Sequence, residues 1–306
     1  MSVTRADGAA GGRRAAALLS LAICAETSHT TMDEDGAKVD LKLSIRHVHH
    51  PGRLLTFHCQ VKSGRSFCAA SSTPTVITLR NVGADMLTAL GQGTRPALLL
   101  WVPTKPSSRV YWHILQARTV EKTPVRIQRI NHVTPTLRYD LCKASSYFHT
   151  RPIAPRLDVA NMTDQVATER ARDAYAELQS RSWKHPLAGS LAVTRFAWRH
   201  VTRRSKPSRQ RIQSLRAVPY LKDFLEQMPT RYLVANRTWV SSGKNIIESR
   251  DVICWYKNAL RIAGLPHTLL LRIREEISYP VNWSKYPLGV ADVLHSAKLV
   301  SWWCKP

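Results

Sequence analysis

The six cysteines, at positions 24, 59, 68, 142, 254 and 304, form no C-x-x-C pair, and their spacing matches no zinc ribbon or finger. Scattered, unpaired thiols fit a reducing compartment and speak against a disulfide-stapled scaffold. Long apolar runs are missing too. The longest candidate, Ala15 to Cys24, falls far short of the ~20 apolar residues that span a bilayer. Neither a Walker P-loop nor a dinucleotide G-x-G-x-x-G is present. A G-x-S-x-G elbow and an H-E-x-x-H pair are absent as well, so the commonest nucleotide, serine-hydrolase and zinc-protease signatures drop out. No repeat occurs at solenoid spacing. Acids are scarce: 21 Asp and Glu face 45 Lys and Arg, for a formal net charge of +24.

That imbalance is the strongest compositional signal. It suits a polyanionic partner, nucleic acid first and an anionic membrane surface second, against the bland alternative of an Arg-rich composition with no partner behind it. With 306 residues, two domains are expected, and a hydrophobic content of 44% is enough to build real cores. Arg13 and Arg14 ahead of the Ala15–Cys24 run have the layout of a signal peptide. An Ala/Leu-rich segment after Gly11 and Gly12 reads more simply as the first buried helix. The chain is therefore expected to be soluble and cytoplasmic, with no membrane partner.

Residues 38–64 carry the most specific pattern. Val39, Leu41, Leu43 and Ile45 alternate with Asp40, Lys42 and Ser44, the period of a half-buried strand. Pro51-Gly52 supplies a turn. Beyond it, Leu55, Phe57, Cys59 and Val61 alternate with Thr56, His58, Gln60 and Lys62. A hairpin folded about Pro51 places Asp40 near Lys62 and Lys42 near Gln60, so its polar face gathers Asp40, Gln60 and Lys62. Asp33, Glu34 and Asp35 enter from the loop just before it. His47, His49, His50, His58 and Cys59 lie close in sequence, but they straddle the turn and alternate along two strands, so they need not converge on a metal.

An Asp at the start of one strand, a turn, then Gln60-Val61-Lys62 on the next resembles the core of the PD-(D/E)XK restriction-endonuclease-like superfamily. "DEDGAKVDLKL" followed by "FHCQVKSG" is similar to a bacterial group, domain of unknown function 4365. The strand-like "PALLLWVP" and "RVYWHILQA" also look like that group's later strands. The resemblance covers roughly residues 10–120. It implies a metal-dependent site in which Asp40, Gln60 and Lys62 are catalytic, with Asp40, Gln60 and Asp35 holding Mg²⁺ or Mn²⁺. Lys62 would orient a water or stabilise developing phosphate charge. Two departures stand out. Gln60 is neutral where relatives often carry Glu, and the first helix offers Arg13 and Arg14 rather than an acid, with Glu26 only near its end.

Pro152 and Pro155 suggest a boundary near residue 150. The expected architecture is α/β (α+β): a restriction-endonuclease-like mixed sheet flanked by helices over 1–150, then a basic α+β domain of unassigned fold over 151–306. A helix is expected at 81–90, and another after the Thr163/Asp164 cap. Between Arg195 and Arg216, eight cations occur with no acid. Arg199, Arg203, Arg204, Lys206, Arg209 and Arg211 are candidate phosphate contacts, and Phe196 and Trp198 are candidates for base stacking. Later segments read as long strands, with Glu248, Asp251, Glu275 and Glu276 as charge partners for neighbouring arginines. Two functions stay open. One is a metal-dependent nuclease acting on DNA in bacterial restriction or defence, as a homodimer or with a defence-system partner. The other is a nucleic-acid-binding or interaction protein that keeps the scaffold without cleavage.

Overall fold

The computed structural model describes residues 3–29, 39–69, 73–80, 82, 96–103, 109–115, 124–150, 155–203, 205 and 207–305. The chain is mixed α+β and forms two compact units. One comprises residues 1–149 and 279–293, the other 150–278 and 294–306. The return of 279–293 to the first unit has no signal in the sequence pattern. The expected helix at 81–90 lies outside the described residues, as do Asp33, Glu34 and Asp35. No described helix is long and apolar enough to cross a membrane.

The first unit opens with α1 (Val3–Ile23) and continues through β1 (Glu26–His29), β2 (Leu41–Arg46) and β3 (Leu54–Ser63) as an antiparallel meander. After β4 (Val76–Leu79), strand β5 (Ala97–Val102) lies parallel to β3, and β6 (Tyr111–Leu115) returns antiparallel to β5. The sheet order is β1-β2-β3-β5-β6. β4 pairs with β7 (Val125–Gln128) in a separate two-stranded ribbon, and α2 (Leu137–His149) closes the run.

Period-two alternation decides which face each side chain meets. Leu41, Leu43, Phe57, Cys59, Leu98 and Leu100 face one core. Ala15, Leu19 and Ile23 from α1 and Leu137 and Leu141 from α2 complete it. Leu99, Trp101 and Tyr111 point the other way and meet Ile77, Leu79, Val125 and Ile127 of the ribbon. β5 is buried on both faces, as expected for a strand with a parallel neighbour inside a covered sheet.

The second unit contains β8 (Leu157–Val159), α3 (Asp164–Gln179), β9 (Trp183–His185), β10 (Gly189–Val193), α4 (Arg195–Thr202), α5 (Ser208–Ala217) and α6 (Leu221–Leu225). Four long strands follow: β11 (Arg231–Ser242), β12 (Asn245–Ile262), β13 (Leu265–Pro280) and β14 (Leu294–Lys305). They join in the order β11-β12-β13-β14-β10-β9, with β8 on β12. Ala263 (φ 51°) and Gly264 (φ 78°) form the two-residue turn between β12 and β13, where both central positions require the left-handed region. The helices lie on the sheet. Trp302 is fully buried, donates its indole N–H to the Ser214 carbonyl at 2.9 Å, and stacks on Tyr175 at 5.5 Å. The C-terminal tryptophan pair thus packs inward through Trp302.

Candidate functional site

The β2–β3 hairpin forms as an antiparallel pair, but two residues out from the register expected for a turn centred on Pro51. Leu41 opposes Cys59 and Lys42 opposes His58. The turn explains the difference. His47 N–H bonds the Arg53 carbonyl and Arg53 N–H bonds the His50 carbonyl, so the loop runs from His47 to Arg53 and is centred on His50. Asp40 consequently meets Gln60 rather than Lys62, and Lys42 meets His58 rather than Gln60. Because the slip is even, the paired strand residues keep their faces; Val39, expected beside Leu41 and Leu43, instead packs in the opposite core with Leu99 and Trp101.

Asp40 stands just before β2, and its own N–H bonds the Cys59 carbonyl at 2.9 Å. Its Oδ2 accepts a hydrogen bond from the Val61 N–H at 2.6 Å and a short one from the Gln60 amide. Gln60 is only 4% exposed, and its Oε1 is buried with no hydrogen-bond partner. Leaving a buried carbonyl oxygen unmatched costs about 1–3 kcal/mol, so this acceptor can take a donor or a cation. Cys59, between them in sequence but on the opposite face, is fully buried. Burial raises its thiol pKa, and the nearby Asp40 carboxylate raises it further, so the thiol stays protonated and inert. Lys62 lies two residues beyond Gln60 on the same face, half-buried, with its Nζ 5.3 Å from the centre of the Phe67 ring.

The surroundings sort the remaining candidates. Glu26 is exposed and opposes Ser44, four residues along β2 from Asp40. At ~3.3 Å per residue that is about 13 Å between Cα positions, too far to supply a second carboxylate at Asp40. Asp35, the other named ligand, lies outside the described residues. Among the described residues no three His, Cys, Asp or Glu side chains gather as a metal group. In the histidine cluster, His47 accepts the His49 N–H through Nδ1 at 3.1 Å and meets Ser146 Oγ through Nε2 at 3.1 Å, so both ring nitrogens are engaged. The donor set that remains is the Asp40 carboxylate and the orphaned Gln60 Oε1 on adjacent strands. This all-oxygen pair suits a hard divalent cation that keeps several waters.

From the other side of the sheet, Gly11 of α1 approaches Ser63 so closely that a Cβ there would sit 2.5 Å from Ser63 Cβ. Arg14, one turn on, reaches the Pro103 carbonyl past the end of β5 at 3.5 Å. The first helix thus brings a cation, not an acid, to the end of β3 and β5 where Lys62 lies.

In the second unit, Arg195, Arg199, Arg203 and Arg209 are exposed and Arg211 is half-buried; Arg204 and Lys206 fall outside the described residues. Arg216 is committed elsewhere, bonding the Met162 carbonyl at 2.8 Å and Asp164 at 3.3 Å. Trp198 is half-buried with its ring 5.0 Å from Tyr175, a packing role, whereas Phe196 is 56% exposed. The acids of the long strands are engaged with partners. Fully buried Arg250 bonds Glu275 at 2.8 Å and lies 3.6 Å from Glu248, which also meets Arg237 at 3.3 Å and Trp239 at 3.0 Å. Asp251 is held by Asn236, Arg272 and Arg274. Burial pushes its pKa up, but those hydrogen bonds outweigh it and hold the carboxyl below its ordinary value. Glu276 pairs with Lys298 at 3.1 Å.

No family model, curated protein or solved structure matches the chain.

Proposed function

We propose that the chain is a nuclease-like protein of restriction-endonuclease-like design that acts on DNA through the Asp40–Gln60–Lys62 hairpin. One observation carries the reading: Asp40 and Gln60 meet side chain to side chain across β2 and β3, with Lys62 following on the same face. The order of elements supports it. A helix leads into a three-stranded meander, and a later strand lies parallel to the third. The net charge of +24 and the exposed arginines of 195–211 supply the means to hold a phosphate backbone.

Asp40 and Gln60 Oε1 would hold Mg²⁺ or Mn²⁺. When bound, such an ion stabilises phosphate charge and makes an attacking water more acidic. Lys62 keeps an ammonium two residues beyond, where it offsets negative charge growing on the phosphate. Gln60 leaves the pair one negative charge lighter than two carboxylates would be, so ion affinity without DNA is weak. The bond from the Gln60 amide to Asp40 ties the two side chains together until an ion or substrate displaces it.

A second reading, a DNA binder without cleavage, is favoured by the same bond, because Asp40 Oδ2 is already satisfied by Gln60 and Val61. The two separate in one assay. Plasmid and single-stranded DNA are incubated with Mg²⁺ or Mn²⁺ and the parent, Asp40→Ala or Lys62→Ala protein. Metal-dependent nicking lost in both variants supports the nuclease. Equal residual cleavage in all three overturns it, and salt-sensitive binding without cleavage leaves the binder.

A further inference from the structure

Building on the nucleic-acid reading above, we propose that the outer face of α4 seats an unpaired nucleotide, with Phe196 as its stacking platform. The second unit then takes single-stranded DNA in preference to a closed duplex. Three observations converge on this helix. Ala197 and Val201 are buried and fix which side of α4 faces the protein. That leaves Arg195, Phe196 and Arg199 exposed on the helix, with Arg203 exposed at its C-terminal end. Phe196 is 56% exposed although its neighbour Trp198 packs against Tyr175. The helix thus buries one aromatic and presents the other to solvent.

The charges around that ring are unbalanced. Arg195 and Arg199 lie at four-residue spacing on the helix, so they repel along one ridge, and Arg203 adds a third positive charge just past its C-terminal end. Among the described residues none of the three is ion-paired or hydrogen-bonded through its side chain. A chain of phosphates along that ridge removes the repulsion. His200 extends the aromatic surface, its ring centre 6.4 Å from that of Phe196.

Geometry then selects the strand state. In a duplex the base faces are hidden in the stack, and a side chain that enters it must first unstack a base step at a cost in free energy. A single strand offers its bases edge and face, and stacking on an aromatic tolerates any base. A ring flanked by guanidinium groups one turn apart therefore fits an unpaired base whose adjoining phosphates meet Arg195 and Arg199.

The test uses the full chain in chelator, so that cleavage does not intervene, and three labelled probes: a short single strand, its duplex, and the same strand with abasic sites. Binding is titrated by anisotropy at two salt concentrations. The parent is expected to bind the single strand more tightly than the duplex. Phe196→Ala should lose roughly ten- to a hundredfold on the intact single strand and less than twofold on the duplex and the abasic strand. Phe196→Tyr should restore binding. Arg199→Gln should weaken all three probes and lower the salt slope by about one. If Phe196→Ala matches the parent on the single strand, or loses as much on the abasic strand, the stacking seat is refuted while DNA binding stands. If the parent binds none of the probes, the nucleic-acid reading itself falls.

Discussion

Gln60→Glu probes the candidate site most directly, because it converts an amide–carboxylate hydrogen bond into a meeting of two carboxylates. In the parent, the Gln60 amide donates to Asp40 Oδ2. With Glu there and no metal, the donor is gone. A hydrogen bond to a charged group is worth about 1.5–3 kcal/mol. Two negative charges ~4 Å apart, at an effective dielectric of about 20, add roughly 4 kcal/mol of repulsion. The sum is capped, because one carboxyl can take up a proton and donate its O–H to Asp40 in place of the amide. From an ordinary Glu pKa of about 4.3, that protonation costs about 4 kcal/mol at pH 7.5 and about 1 kcal/mol at pH 5. The variant should therefore be less stable than the parent by about 4 kcal/mol near pH 7.5, and the deficit should shrink to about 1 kcal/mol near pH 5.

A divalent cation should reverse the penalty, since two adjacent carboxylates are a better ligand pair than a carboxylate and an amide. If Mg²⁺ binds the variant so that its concentration is a hundred times Kd, it returns about 2.7 kcal/mol at pH 7.5. The assay is urea unfolding of parent and variant at both pH values, with and without Mg²⁺ or Mn²⁺. A pH-dependent deficit that neither ion relieves would show two buried carboxylates but no metal site, and the assignment of Asp40 and Gln60 as ligands would fail. A deficit independent of pH would refute the contact itself.

Gly11→Ala should cost about 1–3 kcal/mol, because the new Cβ would stand 2.5 Å from Ser63 Cβ and Oγ and α1 must shift off β3. Gly12→Ala, with nothing within 4 Å, should instead stabilise by up to about 1 kcal/mol through helix propensity, and Gly11→Ala with Ser63→Gly should recover most of the loss. Equal effects at Gly11 and Gly12 in thermal unfolding would remove the close approach. His47 is held neutral in the fold: burial, helped by His50, Arg53, Lys143 and Arg138, lowers its pKa from 6.5 to about 4. A lowered folded pKa means stability that is whole above about 6.5 and drains as pH falls toward 4, by about 2 kcal/mol at pH 5. His47→Asn keeps an acceptor for the His49 N–H and does not titrate, so the difference between parent and variant across pH 4–8 isolates the effect; a flat difference would refute it.

Much of the candidate site is legible in the sequence because strand periodicity is a local property. Alternation alone assigns Leu41, Phe57 and Cys59 to one face and Asp40, Gln60 and Lys62 to the other, and an even slip in register cannot disturb that assignment. What alternation cannot give is which pair meets. That depended on hydrogen bonds in the loop between His47 and Arg53, where Pro51-Gly52 marks a turn but not its closing residues. The contact between Asp40 and Gln60 is therefore a tertiary fact resting on two backbone bonds. Gly11 against Ser63 is of the same kind, since no pattern in an Ala-rich helix says which glycine a strand will crowd.

The long strands of the second unit mislead differently. Glu248, Arg250 and Glu275 sit at buried positions of their strands, so a rule that charges face water would turn those strands inside out. Apolar neighbours at the same parity (Val252, Cys254, Leu271, Ile273) set the face, and the charges follow them inward because Arg250 can satisfy both acids there. Removing one member leaves a buried charge without its counterpart, which is far more costly than the pair is favourable. Such a network is a poor place to look for catalysis and a sound reason to place the chemistry elsewhere. Its carboxylates are already held, whereas in the first unit Gln60 Oε1 is, among the described residues, a buried oxygen without a hydrogen-bond partner on a side chain that meets Asp40.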